Sequence, residues 1–249
     1  MSVATLSEQE IIRREKLKEL YSLGIDPYPA SLYPVNNTAA NIKLHYEGEE
    51  NKSEFGAVCL AGRIMSIRDM GKASFAVLQD SSGKIQFYLK RDEICPGEDK
   101  TLYDKVWKHL TDIGDIIGIK GYVFTTKTGE TSVHVSEFTF LTKSLKPLPV
   151  VKEKEGETYD AVTDPEFKYR QRYVDLIINP QVKEVFVKRT LLINTIRDFL
   201  NSRGALEVDT PVLQSIPGGA AARPFITHHN ALDIPFYLRI ANELYLKRL

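Results

Sequence analysis

The sequence predicts an α+β protein in which an N-terminal helix and a small five-stranded barrel precede a second, mixed α/β segment. Two observations carry this prediction. From residue 55 to residue 141, apolar side chains recur at every second position in five short runs. From residue 179 onward, apolar side chains recur first with a helical period, which indicates a different kind of domain.

The composition is that of a soluble globular protein. Hydrophobic residues make up 43% of the 249 residues and charged residues 27%. Lys and Arg total 33, as do Asp and Glu, which argues against a protein that coats nucleic acid non-specifically. No apolar run has the length that spans a bilayer, and the N-terminus lacks an apolar signal core. We therefore expect a cytoplasmic protein without a membrane partner.

Residues 1–54 are predicted to form a helix and a connector. Ser7 and Glu10 have the spacing of a capping box that opens a helix, and Gly24 suits its end. Basic and acidic residues balance along this helix, so a solvated helix is favoured over an RNA-binding arm. The segment "GIDPYPASLYP" has three prolines and is predicted to be extended.

The five runs follow the order of an OB-fold, a barrel that binds oligonucleotides on one face. We place this domain at residues 55–145. The strands "KASFAVLQD" and "KIQFYLKR" form a hairpin across "SSG", and a short helix, "KTLYDKVWKHL", follows them. The last two strands form a hairpin across "KTGE". The apolar phase slips between Val135 and Phe138, which predicts a β-bulge.

A candidate base-binding face lies on the second and third strands. The core positions of the third strand are predicted to be Ile85, Phe87 and Leu89, with Gln86, Tyr88 and Lys90 facing outward. The pattern leaves open whether Phe75 is outward, as a stacking platform beside Gln86, or part of the core. Arg68 and Lys72 add positive charge nearby. Between residues 55 and 143, 12 Lys and Arg oppose 11 Asp and Glu, so binding would depend on a few placed contacts.

Residues 146–178 are predicted to be a linker, and residues 179–249 to begin a second domain. Asn179 is the predicted cap of a long helix that continues to Gly204, and "ALEVDTPVL" is predicted to be a strand that reaches Pro211. We find no nucleotide-binding loop, nucleophile elbow or zinc spacing. The adjacent His228 and His229 would point to opposite faces of a strand, so no metal site is predicted.

Nearly the whole chain resembles the N-terminal half of a bacterial class II lysyl-tRNA synthetase. The resemblance rests on collinear blocks, which include "GRIMSIRDMGKASF", "LQDSSGKIQFY", "YRQRYVDLI", "EVDTPVL" and "IPGGAAARPFITHHNALD". Aspartyl- and asparaginyl-tRNA synthetases share the barrel and the "EVDTP" style of segment, but they differ at the "GGAAARPF" loop.

The resemblance implies roles for six residues. Phe75 would stack on the central uridine of the lysine anticodon, and Arg68, Gln86 and Glu130 would hydrogen-bond to anticodon bases. The small residues of the "GGAAARPF" loop let backbone approach bound lysine. The carbonyl of Gly219 and the carboxylate of Glu243 would hold its α-amino group. One departure is Asn242, where the family commonly has Pro.

The resemblance also implies partners and a reaction. The long helix and Pro211 look like class II motif 1, so a homodimer interface is expected at Val185, Leu192, Ile196 and Pro211. Lysine, ATP and the lysine tRNA are the expected substrates. The motifs that hold ATP and Mg²⁺ are expected beyond residue 249, so we expect no catalytic residue and no lysyl-adenylate formation from this chain alone. Two alternatives remain: a non-catalytic OB-fold RNA-binding module, and an aspartyl- or asparaginyl-type enzyme.

Overall fold

A computed structural model describes residues 6–149, 152–154, 157–159 and 164–249. The chain divides into two units, one of residues 1–174 and one of residues 175–249. The predicted division at residues 54, 145 and 178 stays a prediction. In the described part of the chain, no helix is long and apolar enough to cross a bilayer.

The N-terminal helix α1, Glu8–Ser22, begins as predicted. The Ser7 hydroxyl accepts a hydrogen bond from the Glu10 amide, and the Glu10 carboxylate accepts one from the Ser7 amide at 2.9 Å. This reciprocal pair satisfies two amide donors that the first helical turn leaves free. Gly24 follows the helix with φ 74°, a left-handed conformation that favours glycine.

The expectation that α1 is simply solvated is wrong for Arg13. Its guanidinium is buried, and it donates to the carbonyls of Ser144, at 2.8 Å, and Ile113, at 2.9 Å. Leu20 on the same helix is fully buried. These contacts fix α1 against the barrel because a buried guanidinium needs partners for its donors.

The barrel is closed and contains five strands in the order β1-β2-β3-β5-β4. All neighbouring strands are antiparallel except β3 and β5, which are parallel. Closure leaves no strand edge unpaired. This topology confirms the predicted OB-fold. The strands are β1 Val58–Asp69, β2 Ala73–Gln79, β3 Lys84–Lys90, β4 Ile116–Thr125 and β5 Thr131–Thr142.

Alternation fills the barrel as the sequence predicts. Ile85, Phe87 and Leu89 are fully buried, and Trp107 packs edge-on against Phe87 with 5.8 Å between ring centroids. The predicted bulge is present in β5, because Lys120 pairs with Glu137 and Gly121 pairs with Val135, which leaves Ser136 unpaired. The bulge restores the inward phase, so Val135 and Phe138 both reach the core.

Further helices and two short strands lie before, between and after the barrel strands along the chain. The predicted helix between β3 and β4 is a π-helix, Leu102–Leu110, whose apolar side is buried. Further helical segments are α2, Ala39–His45, a 3₁₀ turn, Gly48–Glu50, and α3, Arg91–Ile94. Two short strands follow the barrel, β6 Lys152–Lys154 and β7 Glu157–Tyr159, and pair antiparallel. The helix α4, Pro165–Arg170, lies beyond them.

An ionic cluster closes one end of the barrel. Lys143 and Asp115 have fully buried side chains, and the Lys143 ammonium also contacts the Asp112 carboxylate at 2.5 Å. Burial raises the pKa of Asp115. Burial alone would also raise the pKa of Asp112, but hydrogen bonds from Lys143 and Lys16 outweigh it and hold that pKa below its usual value.

The second unit contains the long helix α6, Pro180–Ser202, and a three-stranded sheet in the order β8-β10-β9. The Asn179 side chain does not cap α6. It donates instead to the carboxylate of Asp175 at 2.8 Å. The predicted position is confirmed, because Asn179 is the N-cap residue and Pro180 follows it, but the capping hydrogen bond is absent. The remaining elements are α5 Arg172–Ile178, which crosses into this unit, β8 Leu213–Gln214, β9 Ile226–His229, β10 Ile234–Leu238 and α7 Glu243–Leu246.

The predicted strand "ALEVDTPVL" is also wrong over most of its length. Only Leu213 and Gln214 form a strand, after Pro211, and residues 205–211 have no ladder partner. Thr210 is instead held by side-chain bonds, because its hydroxyl lies 2.7 Å from Nη1 of Arg239 and 2.9 Å from Oδ1 of Asn242. Strand propensity forms a sheet only where a partner strand supplies hydrogen bonds.

Candidate nucleic-acid interface and glycine loop

Phe75 lies on the outer face of the barrel. Its neighbours Ala76 and Leu78 are buried in the core, while Phe75 and Val77 occupy the alternate, half-buried positions of β2. The Phe75 ring packs against Tyr88 of β3, with 4.9 Å between ring centroids and 46° between ring planes. The structure thus shows that Phe75 faces outward, which the sequence pattern left open. A stacking role for Phe75 requires this orientation.

Arg68 and Gln86 lie on the strands that flank Phe75. Arg68 of β1 is exposed and pairs in register with Phe75. Gln86 of β3 is half-buried and pairs in register with Val77. A guanidinium, an aromatic ring and an amide therefore share one outward patch, which combines cation, stacking and base-edge hydrogen-bonding groups.

Glu130 lies at the end of the β4–β5 turn, directly before β5. It is exposed, and its carboxylate lies 3.5 Å from the ammonium of Lys43 on α2. Hydrogen bonds across the turn hold its backbone, because Thr126 donates to the Glu130 carbonyl and the Thr126 hydroxyl accepts from the Glu130 amide. Ser132, two residues later, pairs in register with Gln86. The turn is thus fixed near the same patch by the β3–β5 register.

Sequence reasoning missed an aromatic row that continues beyond Phe75. Tyr88 of β3 pairs with His134 of β5, and His134 pairs with Tyr122 of β4. The ring centroids of Tyr88 and His134 are 5.1 Å apart, and those of His134 and Tyr122 are 4.8 Å apart. Strand alternation places each of these residues outward, so the signal was present in the pattern. Only the barrel order brings them into one row.

His134 is held by both ring nitrogens. Its Nδ1 lies 2.6 Å from the Tyr122 hydroxyl, and its Nε2 lies 2.5 Å from the Glu93 carboxylate. Burial works to raise the pKa of Glu93, but hydrogen bonds and charge from Lys90 and His134 outweigh it and lower that pKa. The Glu93 carboxylate and the Tyr122 hydroxyl thus hold the imidazole of His134 from its two nitrogens.

In the second unit, Gly219 lies beside Glu243. Gly219 has φ 90°, and a Cβ placed there would lie 3.2 Å from Cβ of Ala241 and 3.4 Å from Cβ of Glu243. A Cβ on Gly218 would lie 2.7 Å from Cδ1 of Leu244. Glycine is favoured at position 219 by its left-handed backbone and its close neighbours, whereas a side chain at position 218 would require the end of the Leu244 side chain to move. The structure brings together the two residues expected to bind lysine.

The carboxylate of Glu243 is exposed at the start of α7. Its Oε1 lies 2.5 Å from the ammonium of Lys247, one turn later on the same helix. Asn242, which replaces the expected Pro, precedes Glu243 without capping the helix by its side chain. The helix nonetheless begins at Glu243, and Asn242 accepts from Thr210 instead. The carboxylate can thus bind an ammonium group at this position.

The residues expected at a subunit interface are exposed. Val185 on α6 is 63% exposed, Leu192 is 62% exposed and Ile196 is 51% exposed. Pro211 is also exposed. A helix that exposes this much apolar surface is unusual for an isolated unit, since such faces are normally covered.

Neither cysteine nor histidine pairs form a metal centre here. Cys59 and Cys95 are free and buried, and His228 pairs with Asp233 at 3.0 Å. Within residues 6–149 and 164–249, no three His, Cys, Asp or Glu side chains are placed to hold a metal ion.

Two family models match the chain. Residues 58–141 match an OB-fold nucleic acid binding domain, which is the barrel with its aromatic row. Residues 164–249 match the class II tRNA synthetases of the D, K and N type, a range that includes α6 and the loop that carries Gly218 and Gly219, which we call the glycine loop. The two matches follow the order expected from the resemblance.

The chain is also similar to whole proteins. It is 64% identical over all 249 residues to a lysine–tRNA ligase from Porphyromonas gingivalis strain W83, of which it covers 43%. It is 62% identical over 244 residues to a lysine–tRNA ligase from Azobacteroides pseudotrichonymphae, covering 98% of this chain and 48% of that protein. A third such ligase, from Christiangramia forsetii, is 61% identical over 245 residues, 98% of this chain and 42% of that protein. The chain thus spans less than half the length of the curated relatives it matches, and its second matched segment, residues 164–249, is similar to the class II tRNA synthetases of the D, K and N type.

Proposed function

We propose that the protein of which this chain is a part is a lysine–tRNA ligase. The observation that carries the proposal is the pairing of two sites in one chain. An outward Phe75 lies between Arg68 and Gln86 on an OB barrel, and a glycine loop packs beside Glu243 in a class II segment. Relatives with these segments at 61–64% identity are named lysine–tRNA ligases, which supports lysine as the amino acid.

The barrel reads the anticodon of the lysine tRNA in this proposal. Phe75 stacks on the central uridine, while Arg68, Gln86 and Glu130 hydrogen-bond to anticodon bases. Stacking supplies roughly 1–3 kcal/mol per base and tolerates any base, so sequence discrimination falls to the polar groups. For Glu130 to read a base edge, its carboxylate has to release or share Lys43, which pairs with it at 3.5 Å.

The glycine loop binds the lysine substrate. The carbonyl of Gly219 and the carboxylate of Glu243 accept hydrogen bonds from the α-amino group. A substrate ammonium removed from water needs such acceptors, because an unpaired buried charge is very costly. Lys247 already pairs with this carboxylate, so substrate binding replaces or joins that contact.

The reaction then proceeds in two steps. The lysine carboxylate attacks the α-phosphate of ATP, which gives lysyl-adenylate and releases pyrophosphate. A hydroxyl of the 3′-terminal tRNA ribose next attacks the activated carbonyl and releases AMP. Mg²⁺ offsets charge on the phosphates when it is bound, and its ligands are expected outside residues 1–249. The loop acts by positioning the substrate, which is itself the nucleophile.

We also propose that the whole protein is a cytoplasmic homodimer. The exposed apolar residues Val185, Leu192 and Ile196 on α6, together with Pro211, supply surface for a second subunit. Burial of apolar area is the main driving force for such association.

Aminoacylation by the full-length protein tests the proposal. We expect charging of the lysine tRNA with lysine in the presence of ATP and Mg²⁺, and no charging with aspartate or asparagine. Charging with aspartate or asparagine would assign the protein to the other branches of the family. RNA binding without charging of any tRNA would favour a non-catalytic binding module.

A separate measurement tests the anticodon face. Phe75→Ala in the 249-residue chain is expected to weaken binding to the anticodon stem-loop of the lysine tRNA by about 1–3 kcal/mol. Tyr21→Ala removes an exposed ring from α1 and serves as the control. Equal affinities for the Phe75 variant and the unaltered chain, with folding intact, would contradict the anticodon assignment.

A further inference from the structure

The aromatic row on the barrel is longer than one stacked base requires. It runs from Phe75 through Tyr88 and His134 to Tyr122, across four neighbouring strands. Adjacent centroids lie 4.9, 5.1 and 4.8 Å apart, close to the spacing of about 4.8 Å between paired strands. Successive aromatic rings along a barrel are the usual platform for successive bases of a single strand.

These rings belong to the outer surface and not to the core. The residues that alternate with them, Val123, Val133 and Val135, are fully buried inside the barrel. Tyr122 at the end of the row is 39% exposed. One face of its ring is covered by His134, from which it is tilted by 39°. The exposed remainder of the ring is therefore free to stack on another flat group.

The orientation of Tyr122 is fixed before any ligand arrives. Its hydroxyl bonds to Nδ1 of His134, and Nε2 of that imidazole bonds to Glu93. Glu93 in turn binds the ammonium of Lys90 at 2.9 Å. A ring that is already ordered loses little side-chain entropy on binding, so its contacts contribute more to affinity.

A recess adjoins the exposed side of Tyr122. Its volume is about 320 Å³, at the lower end of the range for ligand pockets. Its other lining residues include Asn36, Ala57, Lys120 and Ser136. The amide of Asn36 is already bonded to backbone groups of Ala57 and Cys59, and Lys120 is bonded to Glu137. The recess therefore offers stacking and shape more than base-specific hydrogen bonds.

The small net charge of the barrel makes individual contacts to RNA more important. Residues 55–143 carry 12 Lys and Arg against 11 Asp and Glu, a net charge of +1. Bulk attraction to phosphate is then weak, and affinity for RNA has to come from several placed contacts. The row continues directly from the Phe75 patch, and a single RNA strand is the occupant that fits both.

We propose that a second unpaired base of the RNA strand bound at Phe75 stacks on Tyr122 in this recess. The inference rests on the proposed anticodon role of the barrel. His134 is a positioning residue that holds the Tyr122 ring, and it is not a base contact itself. Because the recess offers few free polar groups, this second position accepts purines and pyrimidines alike.

Binding of the anticodon stem-loop of the lysine tRNA to the 249-residue chain tests the inference. Tyr122→Ala is expected to raise the dissociation constant about tenfold, whereas Tyr122→Phe, which keeps the ring, stays close to the unaltered chain. Tyr21→Ala is the control for loss of an exposed ring on another element. Far-UV circular dichroism and urea unfolding report whether each variant folds.

Stem-loops with one abasic nucleotide locate the second base. We expect one loop position at which the abasic RNA binds equally well to the unaltered chain and to Tyr122→Ala. This position should differ from the loop position at which the abasic RNA binds equally well to the unaltered chain and to Phe75→Ala. If Tyr122→Ala does not fold, the abasic RNAs still test the inference with the other two proteins. An abasic position that weakens binding both to the unaltered chain and to Phe75→Ala supports a second base site.

The outcomes separate this inference from the anticodon assignment. Weak binding by Phe75→Ala with unchanged binding by Tyr122→Ala overturns the second base position alone. The second position is also overturned if removal of one and the same base abolishes the affinity difference for both variants. If neither variant and no abasic position changes binding, the anticodon assignment fails as well.

Discussion

The ammonium of Lys143 lies 2.8 Å from the carboxylate of Asp115, and both side chains are fully buried. The same ammonium donates to the Leu110 carbonyl at 2.7 Å, and the other oxygen of Asp115 accepts from the Ser144 amide at 2.7 Å. Each charge thus has both an opposite charge and hydrogen bonds, the condition under which a buried ion pair is tolerated.

Removal of one partner from this pair is expected to destabilise the barrel strongly. Lys143→Met leaves Asp115 buried without its counter-charge, and we expect a loss of about 3–5 kcal/mol in the free energy of unfolding. Urea denaturation followed by tryptophan fluorescence measures it, since Trp107 is a core residue. Lys120→Met breaks an exposed pair with Glu137 and should leave the midpoint almost unchanged. Equal midpoints for the two variants would contradict this account.

Asp80 couples the β2–β3 turn to α2. Its carboxylate accepts from the amides of Ala39, Ser82 and Gly83 at 2.7–2.9 Å and from the Ser82 hydroxyl at 2.6 Å. We expect Asp80→Ala to cost about 1–2 kcal/mol of unfolding free energy, because it leaves several amides without acceptors. Ser82→Ala keeps the three amide bonds to Asp80 and should cost less. A larger loss for Ser82→Ala than for Asp80→Ala would argue against this role.

The same carboxylate predicts a dependence of stability on pH. Burial works to raise the pKa of Asp80, but its hydrogen bonds outweigh burial and lower that pKa. An acid with a depressed folded pKa adds stability above its unfolded pKa of about 3.9 and loses it as pH falls through the folded value. Urea midpoints should therefore fall on acidification, and Asp80→Asn should reduce that fall. An identical pH profile for Asp80→Asn would exclude the contribution.

Gly118 of β4 lies directly under the ring of Tyr33. A Cβ on Gly118 would lie 2.2 Å from Cζ of that ring, a distance that no real contact allows. Gly118→Ala is therefore expected to displace the connector that carries Tyr33 and to lower the urea midpoint. Gly83→Ala is the matched control, because nothing lies within 4 Å of its added Cβ. The double variant with Tyr33→Ala should recover part of the loss, and no recovery would show that the clash lies elsewhere.

A substitution at Gly219 tests the proposed role of the glycine loop in lysine binding, in the full-length protein. We expect Gly219→Ala to raise the KM for lysine at least about tenfold, because the added Cβ crowds Ala241 and Glu243 in a backbone conformation with φ 90°. Gly204→Ala carries the same kind of backbone strain, with φ 82°, but meets nothing within 4 Å. It should leave the KM for lysine unchanged. An equal rise in both variants would attribute the effect to strain alone.

Local patterns were sufficient for the barrel core. Alternation identified Ile85, Phe87 and Leu89 as buried, and the slip between Val135 and Phe138 located the bulge at Ser136. Both follow from the two-residue period of a strand, which depends only on neighbouring positions. The Ser7 cap of α1 is equally local, and it also formed as predicted.

The sequence pattern could not predict contacts between distant parts of the chain. His134 bonds to Glu93, 41 residues earlier, and nothing in either segment signals the other. The strand predicted before Pro211 failed for a related reason, since a ladder partner is a property of the assembled sheet. Gly219 and Glu243 were expected together only through the family resemblance, and their closeness comes from the packing of the loop on α7.

The attachment of α1 has a consequence for the order of events on the ribosome. The two carbonyls that receive Arg13 lie 100 and 131 positions further along the chain. This helix therefore lacks its docking surface until the final strand of the barrel has been translated. At roughly 5–20 residues per second, that interval lasts on the order of ten seconds. During this interval the helix stays in water, where the charged side chains of Glu8, Glu15 and Lys18 are solvated and Ser7 caps its first turn.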